Sequence, residues 1–176
     1  LPFTQQPLDL DAVFGRRAPR VLEIGFGDGA TLVEAARERP DLDFLGVEVH
    51  PPGVGHCLLG IEAAGLTNLR IIVHDAVEVL ERQLPPGVLD ELWLYFPDPW
   101  PKKRHHKRRL VQPEFVQGLR RKLKIGAMLY LATDWGDYAE HMLAVQGAAE
   151  GFANAAGHGF APRPAWRPLT RFEQRG

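Results

Sequence analysis

One carboxylate, Asp98, lies between two prolines, Pro97 and Pro99, and a tryptophan, Trp100, follows it. The next segment packs six cations and two histidines into eight residues: Lys102, Lys103, Arg104, His105, His106, Lys107, Arg108 and Arg109. The prolines fix the backbone on either side of the acid and so reduce the freedom it loses on ordering. The cations repel one another and must face solvent or a polyanion. A rigid acidic turn beside a phosphate-seeking segment has the composition of a catalytic edge next to a nucleic-acid grip. A solvated charged face is the ordinary reading of such a run. Here the run is compact, flanked by aromatics and prolines, and opposed by an acidic remainder. Residues 98–124 carry a net +8 against −1 for the whole chain, so the rest carries −9. That split favours a nucleic-acid contact.

A second group of acids and glycines offers different chemistry. The segment Glu23-Ile-Gly25-Phe-Gly27-Asp-Gly29 alternates glycines, which permits a tight turn and close approach of a ligand to the backbone. Glu48 follows 21 residues beyond Gly27, the offset at which an acid can accept both hydroxyls of a ribose. Asp75 lies at the end of a third apolar run, where it would serve equally well as a helix cap. Two nucleoside cofactors suit a glycine turn with a ribose acid. NAD would bring a pyrophosphate, which Glu23 and Asp28 disfavour. S-adenosylmethionine has no phosphate and carries a sulfonium and an ammonium group, which the same acids attract. No Cys/His/acid cluster has zinc spacing, so a metal site is not expected.

These residues need a frame, and the apolar pattern supplies one. Short continuous apolar runs at Arg20–Gly25, Asp43–Val49, Leu69–Val73, Val88–Phe96 and Ala127–Thr133 read as buried parallel strands. Between and after them lie helices: one from Thr31, with Glu34 at capping-box spacing, to Pro40, then Pro51 to Gly65, Asp75 to Gln83, Pro113 to Lys124 and Trp135 to Gln146. FANAA, Phe152 to Ala156, is a candidate sixth strand, and the tail from Arg163 reads as irregular. Strand and helix in alternation predict a Rossmann-like α/β fold, mostly parallel, with helices on both faces of the sheet. In such sheets sites gather at the carboxyl ends of the strands, and the acids named above all lie there.

At 176 residues the chain is expected to form one domain, 1–176. Its 45% hydrophobic and 24% charged content is that of a globular protein. No apolar run reaches bilayer length, so a membrane is not an expected partner. A lone cysteine, Cys57, excludes an internal disulfide and fits a reducing, cytoplasmic setting. Cys57 reads as a small core residue. A monomer is the expected state.

Taken together, LEIGFGDG, GVEVHPPGVG, HDAVEVL, FPDPWPKKRHHKRR, LATDW and LTRFE, in this order over essentially the whole chain, closely resemble the bacterial tRNA (guanine-N7)-methyltransferases. The resemblance implies a class I methyltransferase fold and S-adenosylmethionine as cofactor. It implies a tRNA partner, with a guanine of the variable loop as methyl acceptor. It further implies that Glu23, Glu48, Asp75 and Asp98, with Gly25, Gly27 and Gly29, form the cofactor site, and that Asp98 is catalytic. Lys102, Asp134, Thr170, Arg171, Phe172 and Glu173 are implied in substrate binding, and Lys103 through Arg109 in RNA contact. Family members extend further at both ends and close the sheet with a C-terminal strand. This sequence stops at Gly176 and starts at Leu1, so trimmed termini and a missing last strand are expected.

The alternatives make different demands. A hydride-transferring oxidoreductase leaves the basic segment unexplained and lacks an evident acid/base pair. A non-catalytic RNA-binding module leaves the strand-end acids unexplained. Phe96 continues an apolar strand and reads as core, whereas Trp100 lies beyond it and is open to packing or to stacking on a base.

Overall fold

Five parallel strands form the centre of the computed structural model, which describes residues 1–170 and 173. They are β1 (Arg20–Ile24), β2 (Asp43–Glu48), β3 (Leu69–Val73), β4 (Leu89–Tyr95) and β5 (Leu123–Ala132), in the order β3-β2-β1-β4-β5. The order reverses at β1, which pairs β2 on one side and β4 on the other. That reversal opens a crevice at the carboxyl ends of these strands, where ligands of open α/β sheets bind.

Side chains alternate along the strands and so build two cores. Leu22 and Ile24 of β1, Leu45 and Val47 of β2, and Leu92 and Leu94 of β4 face one cluster. Val21, Phe44, Trp93 and Tyr95 from the same strands face the other. The first cluster is closed by α1 (Leu10–Phe14), α4 (Ala76–Glu78, running into a π-helical turn at Val79–Gln83), α5 (Pro113–Lys122) and α6 (Gly136–Ala148). The second is closed by α2 (Ala30–Glu38) and α3 (Pro51–Ala63). Helices therefore cover both faces, as continuous apolar strands require. Each fully buried aliphatic side chain contributes roughly 1.5–3 kcal/mol.

Several local expectations change. Helix α2 begins at Ala30 with Gly29 as its N-cap and no side-chain cap bond, so Thr31 and Glu34 form no capping box. The reason is steric: Gly29 turns with φ +74°, and a Cβ there would lie 2.5 Å from Cys57 Sγ. Close packing against α3, not a cap, sets the helix start. Strand β5 begins at Leu123, because Leu123 pairs Leu89 across a register shift ahead of the regular ladder at Met128–Ala132. FANAA is not a strand. Asn154 instead folds its own loop, accepting the Ala156 N–H and donating to Gly159 O. Among the described residues no helix is long and apolar enough to cross a membrane.

Candidate active site

The glycine turn after β1 lies open to solvent at Gly25 and Gly27, both with positive φ, while Phe26 between them is buried. Glu48, at the end of β2, ties into this turn. Its Oε2 accepts the Gly27 N–H at 2.9 Å, and its Oε1 accepts from Val49 and His50 at 2.7 and 3.0 Å. Gly53 seats the start of α3 against the turn, where a Cβ would lie 2.1 Å from Gly27 O. Asp75, at the end of β3, caps α4 by accepting from Val77 and Glu78, so its capping role is real. Its side chain remains exposed at the same edge.

Glu23 is the unusual member of the group. It is 4% exposed, and its Oε2 is buried without a hydrogen-bond partner. Burial, reinforced by the nearby Glu48 charge, pushes its carboxyl up to about 8. The Tyr95 hydroxyl, at the end of β4, is buried and unpartnered in the same way, and burial and Glu23 raise its pKa well above normal. Buried polar atoms are normally hydrogen-bonded, so these two orphans mark a place for a partner. Cys57, close by, is held as a neutral thiol near pKa 11, chiefly by burial, and is fully enclosed. It is a packing residue.

The Pro97-Asp98-Pro99 turn extends β4. Two non-glycine residues with positive φ bracket it, Phe96 at 52° and Trp100 at 44°. Each such residue costs about 1–3 kcal/mol, so the surroundings must impose this shape. The Phe96 N–H donates to Ala132 O at 2.8 Å, and the Pro99 carbonyl accepts from Arg109 Nε at 2.8 Å. Asp98 projects from the turn and is exposed. Trp100 packs its ring against the Arg108 guanidinium at 5.0 Å and edge-on to His105 at 5.8 Å. The basic run then forms a 3-10 helix, Lys103–Arg108, with Lys102 as its exposed N-cap.

Along that run Lys103, Arg104, Lys107 and Arg108 are exposed, and His105 and His106 are half-buried. Arg109 breaks the pattern. Its side chain is 1% exposed, and it pairs with Asp137 Oδ2 at 2.5 Å. Its guanidinium turns inward onto a carbonyl and a carboxylate. Asp134, after β5, is exposed and is not a helix cap. The cap residue of α6 is Trp135, whose N–H donates to Thr133 Oγ1.

The tail returns to the strand ends. Trp166 stacks on Trp93 at 4.9 Å, and Arg39 lies over its ring at 5.5 Å. Arg167, 4% exposed, sits 5.1 Å over the Tyr95 ring and 5.9 Å from Phe96. It holds Glu173 with two bonds of 2.8 and 2.6 Å, and Thr170 adds two more at 3.0 Å. Arg167 chiefly, with Thr170, lowers the Glu173 carboxyl to about 2. Arg167 thus ties Thr170 and Glu173 to the end of β4 at Tyr95 and Phe96, whereas Arg171 and Phe172 lie outside the described residues. Tyr95 and Arg167 gave no signal in the sequence. One sits inside an apolar strand and the other in a tail without pattern. Among the described residues no group of three metal-ligating side chains is present.

The profile of a family described as "Putative methyltransferase" matches residues 17–176. The chain belongs to this methyltransferase family. A tRNA (guanine-N(7)-)-methyltransferase of Aeromonas hydrophila subsp. hydrophila is 62% identical over all of this chain and 75% of its own length. One from Psychromonas ingrahamii is 56% identical over all of this chain and 72% of its own length. A precorrin-6y C5,15-methyltransferase from Geobacter metallireducens GS-15 superposes with a TM-score of 0.59 at 17% identity, covering 77% of this chain and 66% of that one. That likeness is one of fold.

Proposed function

We propose that this enzyme transfers a methyl group from S-adenosylmethionine to N7 of a guanine in the variable loop of tRNA. The observation that carries the proposal is the juxtaposition at the end of β4. Asp98, proline-locked between the strained Phe96 and Trp100, stands past the end of β4 next to an exposed cationic 3-10 helix, and β4 pairs β1, which ends at the open glycine turn. The relatives' printed names supply the acceptor base and the RNA class. A tRNA substrate puts the reaction in the cytoplasm.

S-adenosylmethionine supplies the methyl group as a sulfonium. The residues present fit it: Glu48 offers an acid to a ribose, Gly25 and Gly27 give backbone access, and the orphaned Glu23 and Tyr95 oxygens suit a cation. Guanine N7 carries an in-plane lone pair and no proton, so no base is needed to make the nucleophile. The chain's task is alignment and exclusion of water. As positive charge moves onto the purine, a fixed carboxylate beside it lowers the barrier. Asp98 fills that role, and it can also accept from the guanine N1–H and amino group, which adenine lacks. Lys103, Arg104, Lys107 and Arg108 take phosphates. Lys102, Asp134, Thr170 and Glu173 border the base.

The test is tritiated methyl transfer to unmodified tRNA, with the product cleaved by borohydride and aniline. Label at one variable-loop guanine is the expected result. Label elsewhere, or none with S-adenosylhomocysteine bound, would overturn the assignment of acceptor.

A further inference from the structure

We propose that Arg109 is a positioning residue for Asp98, anchored by Asp137, and not a member of the RNA grip that its neighbours form. The inference rests on the functional reading above, in which Asp98 stands at the acceptor base.

The turn that carries Asp98 cannot hold itself. Pro97 and Pro99 have no N–H to donate, and Phe96 and Trp100 sit in the left-handed region that other side chains avoid. Its near end is fixed through the Phe96 N–H to β5. Its far end is fixed by Arg109, whose Nε bonds the carbonyl of Pro99, the residue next to Asp98, at 2.8 Å. A charged donor makes that bond stronger than a neutral one.

Arg109 is in turn fixed from three sides. Its Nη2 pairs with Asp137 in the first turn of α6 at 2.5 Å and meets His106 Nε2 at 3.1 Å, and its guanidinium covers the Tyr138 ring at 4.8 Å. Asp137 suits a helix N-terminus, where negative charge is favoured. Helix α6 is pinned to the same segment. Tyr138 Oη accepts the Val111 N–H at 3.2 Å, and His141 Nε2 meets Val111 O at 2.7 Å. Burying a guanidinium carries a desolvation cost that its partners must offset. Here its geometry sets the distance between the Asp98 turn and the cationic helix that ends one residue before it.

The experiment compares Arg109→Lys, Arg109→Gln, Asp137→Asn and Arg108→Ala with the wild type. Lysine at 109 keeps the charge but cannot reach Pro99 O and Asp137 together as a fork does. For Arg109→Lys, kcat at saturating tRNA should fall about 10- to 100-fold. Its tRNA affinity should stay within about twofold, and its slope of log affinity against log salt should be unchanged. Asp137→Asn should show a smaller fall in kcat with the same unchanged slope. Arg108→Ala, in the RNA grip, should lose affinity and about one unit of slope.

A reading without turnover separates this idea from the functional one. Amide NMR signals of Asp98 and Trp100 should move in Arg109→Lys while those of β4 stay. Loss of about one unit of salt slope in Arg109→Gln, which removes the charge, with kcat preserved would make Arg109 an RNA contact and overturn the proposal. So would unchanged kcat and unmoved signals. If Arg109→Lys fails to fold, Asp137→Asn decides by the same criteria. A wild type that transfers no methyl group to tRNA, with the Asp98 and Trp100 signals still shifting in the variants, would sink the functional reading alone.

Discussion

Glu48 Oε2 accepts the backbone N–H of Gly27 at 2.9 Å, so the end of β2 is tied to the open glycine turn after β1. The loops after β1 and β2 are therefore set relative to each other by this bond. A carboxylate has about four acceptor positions, and backbone donors fill three of them here. The remaining capacity is what a ribose would use. Replacing Glu48 with Gln turns a donor toward the Gly27 N–H and removes charge from the proposed ribose site. S-adenosylhomocysteine should bind about 10- to 100-fold more weakly, since a hydrogen bond to a charged group contributes about 1.5–3 kcal/mol. Titration calorimetry checks this, and affinity within twofold of wild type would remove Glu48 from the cofactor site.

Glu23 predicts a pH profile. Its carboxyl titrates near 8 in the folded chain against 4.5 ordinarily, because burial and Glu48 penalise the charge. Between these values the folded state holds a proton that the unfolded chain has lost. Stability therefore falls as pH rises from 4.5 to 8 and is level above that, by an amount on the order of a few kcal/mol. Glu23→Gln carries no such proton, so the variant should gain on the wild type as pH rises through this window. Urea midpoints at pH 5 and pH 8.5 measure it. Parallel profiles for the two proteins would mean that Glu23 is already ionised, or is solvated on opening of the tail.

Gly29 predicts a stability difference that separates geometry from helix propensity. A Cβ at 29 would meet Cys57 at 2.5 Å on a backbone with φ +74°. Gly29→Ala should cost about 2–4 kcal/mol from strain and overpacking. Gly55→Ala, inside α3 with nothing within 4 Å of its Cβ, should be neutral or gain up to about 1 kcal/mol. Urea unfolding of the two variants checks this. Equal effects would show that α2 and α3 separate readily at this point.

How much of this was legible in sequence depends on which link in the chain of causes each feature lives on. The five strands were readable because buried parallel strands are apolar throughout, and the acids at their ends interrupt that pattern. Glu48 stood out by its offset from Gly27, and Asp98 by its prolines. The start of α2 was misplaced because Thr31 and Glu34 carry a local signal, whereas contact with Cys57, 28 residues away from Gly29, decides the outcome. Arg109 was indistinguishable from Arg108 in composition. Only the packing of α6, which presents Asp137 and Tyr138, turns one inward and leaves the other out. Tyr95 and Arg167 depend on the tail folding back over β4, and no periodic pattern encodes that.

The exposed cations predict how tRNA affinity responds to salt. Each phosphate neutralised releases counterions, so affinity falls steeply as salt rises. Lys103, Arg104, Lys107 and Arg108 are exposed on one short helix. Changing all four to Ala should reduce the slope of log affinity against log salt by about two to four units and weaken binding at every salt concentration. Filter binding from about 50 to 200 mM salt reads it out. A slope equal to the wild type's would move the RNA grip elsewhere.

Asp98 gives the sharpest test of mechanism, because anchoring, charge stabilisation and base catalysis predict different outcomes for one substitution. Asn at 98 keeps the size and the proline-locked backbone, and it keeps an oxygen that can accept from the guanine edge. It removes the charge that would balance the developing positive purine. If charge stabilisation carries the role, kcat should fall about 10²- to 10³-fold, as when a preorganised electrostatic partner is lost. The tRNA Kd and its salt slope should remain near wild type, because the cations that grip phosphate are untouched. A general base would add a feature, a loss of the pH dependence of kcat at low pH in the variant. N7 has no proton to remove, so the profile of the residual activity should keep the wild-type shape. Single-turnover methyl transfer across pH 5.5 to 8.5, roughly the range that histidines and raised carboxyls cover, makes the measurement. Near-normal turnover in Asp98→Asn would show that the charge of the carboxylate does not carry the role, since Asn keeps an acceptor for the guanine edge.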